Sequence, residues 1–100
     1  MPQDTNDNQR KPTDAEVRSA FELLFHANMY ARRTAVEWSL RKNKPTKDEL
    51  LTLANDLMAA EEAIMDMFKR PPGDGSSLTN SVRFFAVRNA ELTERDRESR

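Results

Sequence analysis

From Asp14 to Lys42 the chain runs without a glycine or proline, and its apolar positions Val17, Ala20, Phe21, Leu24, Ala31, Ala35 and Trp38 recur at steps of three and four. That spacing keeps them on one stripe of an α-helix. Thr13 supplies the start, because its hydroxyl accepts from an otherwise orphaned amide while Glu16 reaches back, the reciprocal capping box. Asn43-Lys44-Pro45 then breaks the helix: proline disfavours helical backbone at the residue before it and lacks the donor needed to continue.

Thr46 and Glu49 repeat the capping box, so a second helix is predicted from Lys47 to Arg70, stopping at Pro71-Pro72-Gly73. Its stripe is Leu50, Leu53, Ala54, Leu57, Met58, Ala60, Ile64, Met65 and Phe68. A connection this short makes the two helices antiparallel neighbours. The segment from Pro71 to Ser77 reads as a loop, and Val82, Phe85, Ala86, Asn89 and Ala90 predict a short third helix over residues 79–94. Residues 82–87 also read as a strand, but a lone strand has no partner unless two chains pair edge to edge.

The polar stretch 1–12 is expected to be a disordered arm and residues 95–100 a frayed charged tail, leaving one helical domain over 13–94. The predicted class is all-α: a long antiparallel hairpin plus a short third helix, forming a three-helix bundle or part of a dimeric helical bundle. The acid-first pairs Asp14/Arg18 and Glu37/Arg41 add weak support along the first helix.

Folding at residues 43–46 sets Phe21 near Phe68, Leu24 near Met65, Ala31 near Met58 and Ala35 near Ala54. The same register places Asn28 opposite Glu61 near the centre of the apolar stripes, with Arg32 one turn away. Three readings of this pair compete. It is a polar layer fixing register, a solvated pair on splayed helices, or a ligand-binding carboxylate with raised proton affinity.

Composition narrows the classes. One hundred residues make one domain, and 37% hydrophobic against 33% charged residues allows only a small core. The absence of cysteine removes disulfides and thiolate chemistry, no apolar run reaches membrane-span length, and the cytoplasm is the expected compartment. A formal charge of −1 gives no global attraction to nucleic acid or anionic lipid. A local basic patch exists at the hairpin tip, where Arg41, Lys42, Lys44 and Lys47 gather as a candidate anion contact. Glu37, Asp48 and Glu49 offset it, and no aromatic is interleaved.

The single histidine, His26, has only Glu22 in position as a co-ligand, too few for a metal, and Gly73-Asp74-Gly75-Ser76 lacks the lysine of a phosphate loop. No metal or cofactor is therefore predicted. An enzyme of the chorismate-mutase type would need more arginines and glutamates inside paired helices than Asn28, Arg32 and Glu61 provide.

Apolar residues exceed what one hairpin stripe can hide. Leu23, Ala27 and Tyr30 form a strip on one flank of the first helix, Met29, Val36 and Leu40 lie on the other, and Phe84 faces away from its own stripe. This surplus implies a partner chain, either a second copy or another protein, with Met58, Met65 and Met67 suited to adaptable contact. The expected function is a non-enzymatic protein-interaction module. It would act as a small regulator or inhibitor that sterically blocks a larger protein or nucleoprotein complex, a size class that includes phage and mobile-element proteins of anti-defence, anti-CRISPR type. Tyr30, Arg32, Arg33, Trp38 and Phe84 are the expected contacts, since aromatic and arginine anchors dominate interfaces. The alternatives are a nucleic-acid accessory protein using the basic tip and a small helical enzyme.

Overall fold

A computed structural model describes residues 10–98, and among them the architecture is all-α. Helix α1 spans Asp14–Leu40, α2 spans Lys47–Met67 and α3 spans Thr79–Glu98, with one 3₁₀ turn at Ser76–Leu78. Both capping boxes form: Thr13 accepts from the Glu16 amide and Thr46 from the Glu49 amide, while each glutamate accepts from the threonine's own amide in return. The first two helices end two or three residues earlier than the periodicity predicts. Arg41 is already extended, and the chain tightens at Phe68–Arg70 into amide bonds that reach back only three residues.

Residues 79–90 are helix, and α3 is not short. It has 20 residues against 21 in α2, and it continues through the stretch expected to fray. Arg95 in that stretch is held by an ion pair to Glu37 on α1. The N-terminal arm differs likewise at its last residues, since Arg10 is docked; residues 1–9 and 99–100 of the expected arm and tail lie outside the described residues.

The hairpin is antiparallel as predicted. At its tip Arg41 grips Glu49, within one residue of the expected register, but further down Tyr30 meets Asp56 where the turn predicts Ala59. α3 runs parallel to α1, as shown by the ascending contacts of Asn89 with His26, Thr93 with Arg33 and Arg95 with Glu37. α1 is the central helix and packs more extensively on α3 than on α2. The Cα trace measures 57 × 25 × 15 Å, a flattened rod with a radius of gyration of 16.6 Å where a compact chain of this length has about 13 Å.

The core follows a different stripe of α1 from the one expected. Its inward positions are Glu16, Ala20, Leu23, Ala27, Tyr30 and Thr34, turned about 100° from the Phe21/Leu24 stripe. Leu23, Met67, Leu78 and Phe85, one from each element, are the largest fully buried side chains. Each contributes ~1.5–3 kcal/mol of burial. The core is thus small and concentrated toward the end where α1 and α3 begin.

That end is closed by a clasp around Glu16, a buried carboxylate with four donors. Arg10 donates through both terminal nitrogens at 2.9 Å, the Thr13 amide at 2.9 Å and the Gly73 amide at 3.1 Å. Arg10 also donates to the Met67 carbonyl at 3.0 Å and lies over the Phe68 ring, and the Thr13 hydroxyl donates to the Gly73 carbonyl at 2.7 Å. One carboxylate thereby joins the N-terminal segment, the start of α1, the end of α2 and the following loop. The Arg10 guanidinium, then the Thr13 and Gly73 amides, hold its pKa down at about 2. Beyond the clasp, Gly75 adopts φ +83° and is buried against α1; a Cβ there would overlap the Ser19 side chain and come within 3.0 Å of the Ala15 carbonyl oxygen.

Two predictions follow from this end of the bundle. Because the folded pKa of Glu16 lies below its ordinary 4.5, its stabilisation is present above that value and disappears as pH falls through about 2. Urea midpoints measured from pH 7 to pH 2 should fall in that window, and Glu16→Gln should remove the Glu16 share of the fall, leaving the share of the similarly depressed Glu49, while lowering stability at pH 7. The second concerns Gly75: Gly75→Ala should cost ~2 kcal/mol or more in urea unfolding, combining left-handed strain with a backbone clash. Gly73→Ala, whose added carbon meets only the Pro71 carbonyl oxygen at 3.9 Å, should stay within about 0.5 kcal/mol of wild type.

Candidate functional site

With α1 turned toward Leu23 and Tyr30, the stripes expected to face each other inside the hairpin lie outside it. Phe21, Leu24 and Phe25 are 68%, 48% and 60% exposed, and on α2 Leu50, Leu51, Met58 and Met65 are each about half exposed. Positions 21, 24, 28 and 35 of α1 share the flank next to α2 but away from α3, with Phe25 at its outer edge one turn from Phe21, and positions 50, 54, 58, 61 and 65 share the corresponding flank of α2. Both flanks open to the same side, giving one broad apolar face across the hairpin, opposite α3.

Asn28 and Glu61 belong to this face. Both are exposed, so they form no buried polar layer, and the carboxylate keeps its water instead of being enclosed by apolar walls. Arg32 is also exposed on the face. Neither Arg32 nor Glu61 has a hydrogen-bond or ion-pair partner among the described residues, so these opposite charges stand as isolated points in an otherwise apolar and small-residue surface.

A second feature adjoins the face at the other end of the rod from the clasp. There the three helices diverge around an open cleft of about 1660 Å³, with Thr34 and Trp38 on α1, Leu53 and Asp56 on α2, and Leu92 and Arg95 on α3 among its lining. At its base Tyr30 donates to Asp56 at 2.9 Å, and its ring tilts against Phe85 at 5.7 Å between centroids. Burial, reinforced by the carboxylate that accepts its proton, raises the Tyr30 pKa to about 12.

The expected contact residues separate accordingly. Tyr30 is a core residue, and Arg33 is half-buried and spent on α3, donating to the Asn89 carbonyl at 3.2 Å and the Thr93 hydroxyl at 2.8 Å. Trp38 is half-buried on the cleft wall with the Arg41 guanidinium 6.0 Å from its ring centroid. Phe84 sits apart on α3, in a T-shaped contact with Phe85 and with the Arg88 guanidinium over its ring. Only Arg32 of this set stands on the apolar face. At the tip, Lys42, Lys44 and Lys47 are exposed, whereas Arg41 forms a two-pronged pair with Glu49 at 2.8 and 2.9 Å. That pair depresses the Glu49 pKa to about 2, and it replaces the Glu37/Arg41 pair, Glu37 going to Arg95 instead.

Two residues read from the sequence only as a cap and a helix position, Glu16 and Asn89, prove to be buried polar ties between elements. Glu16 organises the clasp, and Asn89 donates to the His26 carbonyl at 3.0 Å, tying α3 to α1. For Glu16 the signal was positional: Glu16, Ala20, Leu23, Ala27, Tyr30 and Thr34 form an unbroken three-four repeat with polar residues at both ends. Among the described residues no group of three or more histidine or acidic side chains is arranged to hold a metal ion, and no helix is long and apolar enough to cross a membrane. Comparison of the chain with protein-family models, curated proteins and solved structures gives no match.

Tyr30 is the only tyrosine, so its ionisation can be followed directly. Absorbance near 295 nm should rise only as pH approaches about 12 in the folded chain and near 10 in urea. Because the folded value is the higher one, the Tyr30–Asp56 bond contributes fully below pH 10 and is lost through about 12. Tyr30→Phe should therefore cost about 1–2 kcal/mol at neutral pH, a difference that closes in alkali.

Proposed function

We propose that this chain is a non-enzymatic helical protein-interaction module whose contact surface is the outer face of the α1–α2 hairpin. The observation that carries this reading is the inversion of apolar side chains between core and surface. Phe21, Leu24, Phe25, Met58 and Met65 are about half exposed or more on one side, while the fully buried large side chains among the described residues number only four. Contiguous apolar surface on that scale marks a contact site. Methionines at two of its positions adapt to an irregular partner, and alanines at 31, 35 and 54 allow close helix approach.

Chemistry for a catalytic alternative is thin. The acid groups with shifted pKa values, Glu16, Glu49, Asp74 and Tyr30, are each committed to a structural partner, and Glu61 stands outside the cleft that Asn28 and Arg32 help to line. The tip reading is weakened by Arg41, whose charge is met by Glu49.

A photo-crosslinking amino acid in place of Phe25, introduced in cells of the source organism, tests the proposal. Polypeptide adducts should form from position 25 and be absent from position 83, an exposed arginine on α3. Equal labelling from both positions, or none from position 25, would overturn it.

A further inference from the structure

We infer that the occupant of the hairpin face is a second copy of this chain, so that the protein is a homodimer in which two hairpins pack face to face. This rests on the reading of that face as an interaction surface and adds the identity of the partner. Three observations favour a second copy over an unrelated protein.

Area comes first. The half-exposed large side chains of the face, led by Phe21, Phe25 and Met58, leave several hundred Å² of exposed surface per chain, the order of the ~800 Å² per partner of a standard-size interface. An isologous contact supplies that area twice from one patch, with no further feature required. Charge comes second. The centre of the face holds one arginine and one glutamate, Arg32 and Glu61, both lacking a partner within the chain among the described residues. Such a face is neutral: it offers no field to steer a strongly acidic or basic partner, and two copies meet without net like charge.

Shape comes third. A slab 15 Å thick cannot surround a core from both sides, and its buried apolar set is correspondingly small. Two slabs joined on this face give a six-helix assembly with the thickness of an ordinary bundle, and α1 gains a second buried stripe from Phe21, Leu24 and Phe25 to add to the one it already uses.

The test is light scattering on size-exclusion fractions with sedimentation velocity, on the full chain from about 1 to 100 μM. The expected mass is twice the 11.5 kDa of the chain. Met58→Asp and Phe25→Asp should each weaken dimerisation at least ~30-fold, and Val87→Asp, on exposed α3 surface, should leave it unchanged. Circular dichroism at equal concentration should show the monomeric variants still helical. Should both aspartate variants lose helix, the wild-type chain carrying the photo-crosslinker at position 25 decides the point: an adduct at twice the chain mass supports the dimer, and its absence rejects it. A wild-type mass of 11.5 kDa across the range overturns the homodimer. If position 25 then crosslinks to a different protein, the interaction reading survives while the dimer falls; if it crosslinks to no polypeptide, both fall.

Discussion

A single stripe on α1 has to serve two neighbours at once, and most of the structure follows from that demand. Ala20, Leu23, Ala27 and Tyr30 face the line where α2 and α3 meet, so α1 is rotated to split its small inward surface between them. The larger side chains, Phe21, Leu24 and Phe25, are carried out of the bundle by the same rotation. A two-helix hairpin alone would bury them. The third helix, running parallel to α1 and packing on it more extensively than α2 does, draws the inward direction toward itself.

This competition explains what was legible in the sequence and what was not. Helix starts were legible because capping is local: Thr13/Glu16 and Thr46/Glu49 declare themselves within four residues and form as read. The antiparallel turn was legible for the same reason. Rotation about the helix axis was not, since two stripes on α1 share helical periodicity and the more hydrophobic one looks like the core. The true inward stripe carries Glu16 at one end and Thr34 at the other, and Glu16 can be buried only because Arg10 and the Gly73 amide arrive from distant parts of the chain. No local pattern encodes that arrival. Of the three readings of Asn28/Glu61, the buried layer failed with the stripe that contained it and the solvated pair fits, and Tyr30 and Arg33 became internal ties once α3 proved to be a full-length helix.

The clasp and the cleft are complementary solutions at opposite ends. At the closed end a guanidinium and two amides satisfy one carboxylate, so a charge sits inside the bundle with its hydrogen-bonding capacity met. At the open end the helices diverge, and charged side chains pair across the gap where water reaches them, as Arg95 does with Glu37 and Arg41 with Glu49. The first arrangement fixes geometry; the second tolerates opening.

The parallel course of α1 and α3 also polarises the molecule electrically. Two helix N-termini gather beside Glu16 and two C-termini gather near Arg41 and Arg95, each terminus equivalent to about half an elementary charge, with α2 opposing only one of the pair. The carboxylate and the guanidinium groups sit where that field favours them. The rod therefore has a head and a tail distinguished by the direction of its backbone, so that its two ends differ electrically even where their side-chain charges balance.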